Sequence, residues 1–224
     1  QPSICRLRAA YVTTAIAEYF RDKGMDVMLM MDSVTRFAKA QREIGLAKGE
    51  PGAQRGYTPS VFEMIPKLLE RTGTNDKGSI TAFYTVLVDG DDMNEPISDT
   101  VRGVLDGHII LNRALANAYH YPAIDVLPSI SRLSNRVTGK QTKKACAVLR
   151  GWMSTYQARE TMITSGVYQK GSSPEIDAAI DKHEDIEKFL CQEEFEPCPM
   201  KDTLNKLSLL TGIEIPESEY AENP

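Results

Sequence analysis

The chain has 224 residues, 42% hydrophobic and 25% charged, with a net charge of −5. That length gives one large domain or two small ones enough core to fold, and no apolar run is long enough to span a bilayer. The negative balance argues against a general grip on nucleic acid, and the opening QPSICRLRAA lacks the apolar stretch of a signal peptide.

Ile4 to Lys23 reads as a helix, because Leu7, Tyr11, Ala15 and Tyr19 fall four apart and Gly24 can close it. Val27 to Met31 is an unbroken apolar run that stops at a carboxylate, Asp32. Such a run fits a strand buried on both faces of a parallel sheet. In open α/β sheets ligands bind just beyond the carboxyl ends of such strands, so Asp32 stands where chemistry is expected; the alternative is that it caps the next helix. That helix is predicted over Ser33 to Ile44, stopped by Gly45, with Arg36 one turn past Asp32. Ala47 to Tyr57 holds three glycines and a proline and reads as a loop. Thr58-Pro59 then supplies an N-cap and a first-turn proline. The helix that follows carries Val61, Phe62, Ile65, Leu68 and Leu69 on one face, a kink is expected at Pro66, and Gly73 ends it.

Ser79 to Val88 is β-branched and aromatic, a strand signal. Asp89 to Asp99 is an acidic loop beginning where that strand stops. A short helix over Thr100 to Leu105, a strand over His108 to Leu111, a helix over Asn112 to Tyr119 and a strand over Ala123 to Leu127 complete an alternation of strands and helices. That alternation predicts an α/β fold with a mostly parallel sheet and flanking helices. After Arg136 strand signals vanish. Helices are predicted over Lys140 to Thr164, from Ser173-Pro174 to Leu190, and over Lys201 to Thr211. The second half therefore reads as a small helical domain, with an acidic, two-proline tail from Glu214 to Pro224 expected to fray.

Cys5, Cys146, Cys191 and Cys198 form no paired spacing, which argues against zinc and for reduced, cytosolic thiols. His108, His120 and His183 show no ligand spacing and read as structural or solvated. An apolar strand ending in Asp is the Walker B pattern, in which the carboxylate holds the water shell of Mg²⁺ while a nucleotide's phosphates supply other oxygens. A phosphate loop, GxxxxGK[ST], does not occur. Val137-Thr138-Gly139-Lys140-Gln141 comes nearest, but lacks the first glycine and has Gln where Ser or Thr is needed.

Five segments, in order, carry a resemblance: LMMDSVTRFAKAQREIGLAKGEP, RGYTPSVFEMIPKLLERTG, KGSITAFYTVLVDGDDMNEPISD, VRGVLDGHIILNR and HYPAIDVLPSISR. Together they resemble the flagellar protein-export ATPases and their injectisome relatives, and more distantly the catalytic subunit of rotary ATP synthases. The resemblance implies that residues 1–137 are the C-terminal part of a RecA-like nucleotide-binding core and 138–212 a helical C-terminal domain. It also implies that the N-terminal barrel, the phosphate loop and the catalytic Glu segment would precede Gln1, so that these 224 residues alone should not hydrolyse ATP at a useful rate; the alternative to part of a catalytic subunit is a non-catalytic, truncated binding or scaffold module. Cytoplasmic homo-hexamers, stalk and regulator proteins, secreted cargo with its chaperones, and peripheral association with a membrane export gate are the assemblies it implies, with no nucleic acid and with ATP and Mg²⁺ as ligands.

The resemblance also assigns roles. Asp32 matches the Walker B carboxylate. Arg36 matches an arginine that organises the active-site floor, the alternative being a solvated helix arginine. Arg132 matches the arginine finger that reaches into a neighbouring subunit, with a plain surface arginine as the alternative and Arg136 the weaker finger. Tyr121 matches the aromatic that stacks on adenine. Phe195 is the candidate second wall, against ordinary packing, with Tyr168 a weaker substitute. Asp91, Asp92 and Glu95 match a pore-facing loop that would present negative charge to a stalk protein or cargo, the alternative being a solvated acidic loop.

Overall fold

The computed structural model describes residues 1–88, 90 and 92–220. The chain forms two compact units, Gln1–Asp106 and Gly107–Pro224.

In the first unit, α1 (Ser3–Arg21) leads into β1 (Asp26–Met31), α2 (Val34–Ala47), α3 (Pro59–Leu69), β2 (Gly73–Thr74), β3 (Ser79–Tyr84) and α4 (Pro96–Val104). The sheet order is β1-β3-β2, with β1 parallel to β3 and β2 antiparallel to it. α1 turns Leu7, Ala10, Thr14 and Ala17 inward rather than the predicted four-residue stripe. Its small residues bring the helix close to α2 and β1, and the Thr14 hydroxyl is satisfied by donating to the Ala10 carbonyl at 2.9 Å. Ala17 packs with Leu29 and Ile80 on one face of the sheet. The opposite face disagrees with the expectation of a strand buried on both sides: Met28 and Met30 are 67% and 73% exposed, and Phe83, the register partner of Met30, is also exposed. An unbroken apolar run records hydrophobicity on both faces, but among the described residues only one of them is covered.

The main core of this unit gathers Val34, Phe37, Ala38, Val61, Ile65, Leu68, Ile97 and Val101 from α2, α3 and α4, with Tyr57 from the segment before α3. The sequence places the end of α2 at Gly45, yet the helix runs on to Ala47. Gly45 is there for close approach: a Cβ would lie 2.5 Å from the Oγ1 of fully buried Thr58. The left-handed residue after the helix is instead Gly49, at φ 85°. Thr58 occupies the N-cap position of α3, but its hydroxyl faces Ser60 Oγ, and the Ser60 N–H is capped by Glu50 Oε2 at 3.3 Å. α3 continues through Pro66, whose ring leaves the Phe62 carbonyl without its i+4 donor.

β3 ends at Tyr84 rather than Val88, because its neighbour β1 ends at Met31. Beyond that point the chain bonds to the start of α2: the Thr85 carbonyl accepts from Val34 N–H, and Leu87 N–H donates to Thr35 Oγ1.

The second unit holds β4 (Gly107–Leu111), α5 (Arg113–Asn117), β5 (Ile124–Ser131), α6 (Ser134–Val137), α7 (Lys140–Thr164), α8 (Pro174–Leu190) and α9 (Met200–Thr211). The alternating pattern suggested parallel strands here, whereas β4 and β5 pair antiparallel as a separate two-stranded sheet. The link between them holds only a five-residue helix, and a parallel return needs a crossover of a dozen or more residues, usually a full helix. Arg150 of α7 anchors the helices to this hairpin by donating to the Val126 and Leu127 carbonyls, each at 2.7 Å. Ala145, Leu149, Leu204, Leu207 and Ile215 make the helical core.

Ile215 belongs to the segment predicted to fray. As far as Tyr220 that tail is instead docked, and residues 221–224 lie outside the described residues. Glu219 accepts from the Gln141 N–H at 2.9 Å and from the Thr142 N–H and hydroxyl at 2.8 Å each, capping the start of α7. A Cβ on residue 139 would meet the end of this flexible side chain, so a substitution there would make the Glu219 carboxylate shift. The helix start that came nearest to a phosphate loop is thus filled by the chain's own carboxylate.

The backbone N–H groups of Gln141 and Thr142 hold the Glu219 carboxyl below its usual value. A carboxyl with a depressed folded-state pKa stabilises the fold above its unfolded value, about 4.3, and loses that contribution as pH falls through the folded-state value. Glu219→Gln is therefore expected to lower the thermal midpoint near pH 7, with the gap from the parent closing in acid well below pH 4.3. A gap independent of pH would show that the carboxylate charge is not what stabilises the cap.

Candidate functional site

Asp32 directly follows β1, at the carboxyl end of the parallel β1–β3 pair. The N-cap of α2 is Ser33, whose Oγ accepts from the Arg36 N–H at 3.4 Å, so Asp32 is not consumed as a cap. Its side chain is exposed. Oδ1 accepts from the Thr85 hydroxyl at 2.8 Å, and Oδ2 has no hydrogen-bond partner among the described residues. Thr85 is the first residue past β3, so the two parallel strands end in a hydroxyl and a carboxylate that face each other. Arg36 lies in the first turn of α2 with its side chain exposed.

No cluster of three or more His, Cys, Asp or Glu side chains could cage a metal among the described residues. A lone, half-committed carboxylate suits Mg²⁺ rather than a structural metal. Mg²⁺ keeps several waters and is usually held by one or two carboxylates together with substrate phosphates.

In the second unit, Tyr121 follows α5, its ring half exposed. The segment is fixed on both sides of that ring. His120, 7% exposed, sets Nδ1 2.9 Å from Glu187 Oε2 on α8, and the Tyr121 carbonyl accepts from Gln192 N–H at 2.8 Å. Phe195, 89% exposed, lies in the loop between α8 and α9 and is not packed in the helical core. Tyr168 is committed elsewhere: its hydroxyl joins Ser173 and Asp177 at the start of α8. Arg132 is exposed in the turn that follows β5, and Arg136 is exposed within α6.

The acidic loop is not a bare negative face. Asp91 lies outside the described residues. Asp92 forms an ion pair with Arg55 and accepts from Asn94 N–H at 3.0 Å. The Asn94 N–H, then Arg55, hold its carboxyl below the usual range. Glu95, expected on the surface, is only 4% exposed and precedes the first turn of α4, so burial removes it from any surface charge.

Sequence reasoning missed Thr85, Glu187, Gln192 and Glu219, and read His120 as structural or solvated without its partner. Thr85 had a weak signal, a hydroxyl residue near the end of a strand adjacent to Asp32. The others act through partners 67 to 78 residues away, or across loops, where no periodicity reaches.

Residues 1–131 match the ATP synthase alpha/beta family, nucleotide-binding domain, and residues 138–208 match the T3SS EscN ATPase C-terminal domain. The chain is 59% identical over 214 residues to the flagellum-specific ATP synthase of Bacillus subtilis, covering 96% of this chain and 49% of that protein. It is 50% identical over 210 residues to the type 3 secretion system ATPase of Pseudomonas savastanoi pv. phaseolicola, covering 94% and 47%. Among solved structures, the assembled ATPase EscN from the enteropathogenic E. coli type III secretion system superposes with a TM-score of 0.92 at 46% identity, covering 94% of this chain and 51% of that one. EscN in complex with its central stalk EscO gives a TM-score of 0.85 at 45% identity, covering 94% and 50%. The chain thus spans about half the length of the curated relatives it matches.

Proposed function

Because this chain belongs to the ATP synthase alpha/beta family, we propose that it is the C-terminal half of a protein-export ATPase subunit, which couples ATP binding and hydrolysis to export of protein substrates. Residues 1–137 are the later part of the RecA-like core and 138–212 the helical domain. The identity of 59% to a flagellum-specific ATP synthase, against 50% to an injectisome enzyme, favours the flagellar apparatus. The assembly is a cytoplasmic homo-hexamer on a central stalk, peripheral to a membrane export gate, handling secreted proteins and their chaperones. No described helix is long and apolar enough to cross a membrane. The stalk reading draws support from the EscN–EscO complex.

The observation that carries the reading is the Asp32 carboxylate at the end of β1, with Oδ1 held by Thr85 and Oδ2 without a partner among the described residues. Asp32 is the residue that would hold Mg²⁺, through its waters. When bound with ATP, that ion neutralises charge on the phosphates. Tyr121 and Phe195 hold the adenine ring, Arg36 organises the floor of the site, and Arg132 spreads its guanidinium charge over phosphoryl oxygens of a neighbouring subunit. Asp92 takes part in the stalk-facing loop only as the partner of Arg55.

In the intact protein, Asp32→Asn is expected to lower Mg²⁺-dependent ATP turnover about 10–100-fold, the usual effect of losing a partner outside a metal's inner ligands. Nucleotide affinity measured in EDTA should stay unchanged. Turnover at the parent rate would remove Asp32 from the site and the main support for the reading.

A further inference from the structure

The two aromatic side chains assigned to the base share a problem. Tyr121 is half exposed and Phe195 almost wholly so, and neither ring is fixed by a packed core. Two rings can sandwich a base only if their backbones are held at a set separation. A wandering loop would have to be ordered at each binding event, and that ordering costs affinity.

Hydrogen bonds hold those backbones. On one side, His120 is buried and its Nδ1 meets Glu187 in the last turn of α8. On the other, the Tyr121 carbonyl accepts from the N–H of Gln192, two residues past the end of that helix. The residues that follow close on themselves. The Gln192 side-chain amide donates to the Glu196 carbonyl at 2.9 Å, Glu196 N–H donates to the Glu193 carbonyl at 3.1 Å, and Glu193 N–H donates to Glu196 Oε2 at 3.2 Å. Phe195 sits inside this closed turn. Gln192 is thus the joint: its main chain grips the Tyr121 segment and its side chain grips the Phe195 turn.

Resting on the base-wall roles given to Tyr121 and Phe195, we infer that His120, Glu187 and Gln192 are positioning residues that set the separation of the two rings and so tune affinity for the purine base. His120 and Glu187 meet through their side chains, and Gln192 bonds to the Tyr121 and Glu196 carbonyls, so all three act on the segments that carry the rings. Cutting one tie loosens the frame without altering the phosphate end of the site, so affinity for the base falls and affinity for phosphates does not. A role limited to stability would move both together.

The test uses the intact protein, with KM for ATP measured beside the inhibition constant of inorganic tripolyphosphate, a competitor with no base. His120→Ala and Gln192→Ala are each expected to raise KM for ATP about three- to tenfold, the loss of one net hydrogen bond. kcat and the tripolyphosphate constant should stay near parent values. His120→Gln, which keeps a donor toward Glu187, should recover most of the loss, and Glu187→Gln should give an intermediate value if His120→Ala folds poorly. Parallel weakening of ATP and tripolyphosphate overturns the inference, as does an unchanged KM in both tie variants while Tyr121→Ala still weakens ATP. If Tyr121→Ala itself leaves KM unchanged, the base-wall reading falls first and the inference with it.

Discussion

In the assembled protein, Arg132→Ala is expected to leave nucleotide affinity near the parent value while ring-stimulated hydrolysis falls by about 10³–10⁵-fold, the range that arginine fingers contribute in nucleotide hydrolases. Placement supports this more than identity does. Arg132 stands one residue past the end of β5, a strand fastened to α7 through Arg150, so its backbone has a firm base while its side chain is exposed. A guanidinium that acts on a neighbour must project from a rigid edge of its own subunit. A planar, always-charged fork then matches the oxygens of a transferring phosphoryl group. The measurement is steady-state turnover against protein concentration, alongside equilibrium nucleotide binding. A variant that binds nucleotide poorly yet turns over normally per bound nucleotide would place Arg132 in the binding of its own subunit's ligand and end its role as a finger. Arg136→Ala, on the short helix α6, serves as the neighbouring control and is expected to change turnover little.

What the sequence makes legible here follows from what local patterns encode. The run from Val27 to Met31 with its terminal Asp32 gives β1 and the position of the carboxylate, because strand signal and stop lie in adjacent residues. The span Lys140–Thr164 is read to the residue, and α8 and α9 almost so, because glycine and proline punctuate them. Covering and pairing are not local properties. Nothing in Met28 or Met30 says which face of the sheet is covered, and the pattern of β4 and β5 suits either strand direction until the length of their connection is weighed. Gly45 shows the same limit in one residue. Glycine signals a helix end or a close approach, and only the buried Thr58 beside it decides. Glu95 and Glu219 read alike as acidic surface residues, yet one is buried and the other caps a helix 78 residues away in sequence. The roles proposed for the site rest on resemblance. The residues that hold the site's parts in place, Thr85 on Asp32 and His120 with Gln192 around Tyr121, came from the structure.

Tyr121→Ala is the second change with a large expected effect, and it bears on a different quantity. Stacking a base on an aromatic ring contributes about 1–3 kcal/mol by alanine substitution, which corresponds to a loss of nucleotide affinity of about 5- to 150-fold. A ring that stacks on the base makes the same contact in the ground state and the transition state, because the base takes no part in phosphoryl transfer. Such uniform binding raises KM and leaves kcat largely alone. Tyr121→Phe keeps the π-face and should retain most of the affinity, since stacking uses the ring and not the hydroxyl. Tyr121→Ala should also flatten the preference for ATP over base-free tripolyphosphate. A variant with parent-like KM and a sharply lower kcat would mean that Tyr121 acts on the chemical step. That pattern would move the base contact to Phe195 alone, a ring even more exposed and held only through the turn that Gln192 closes.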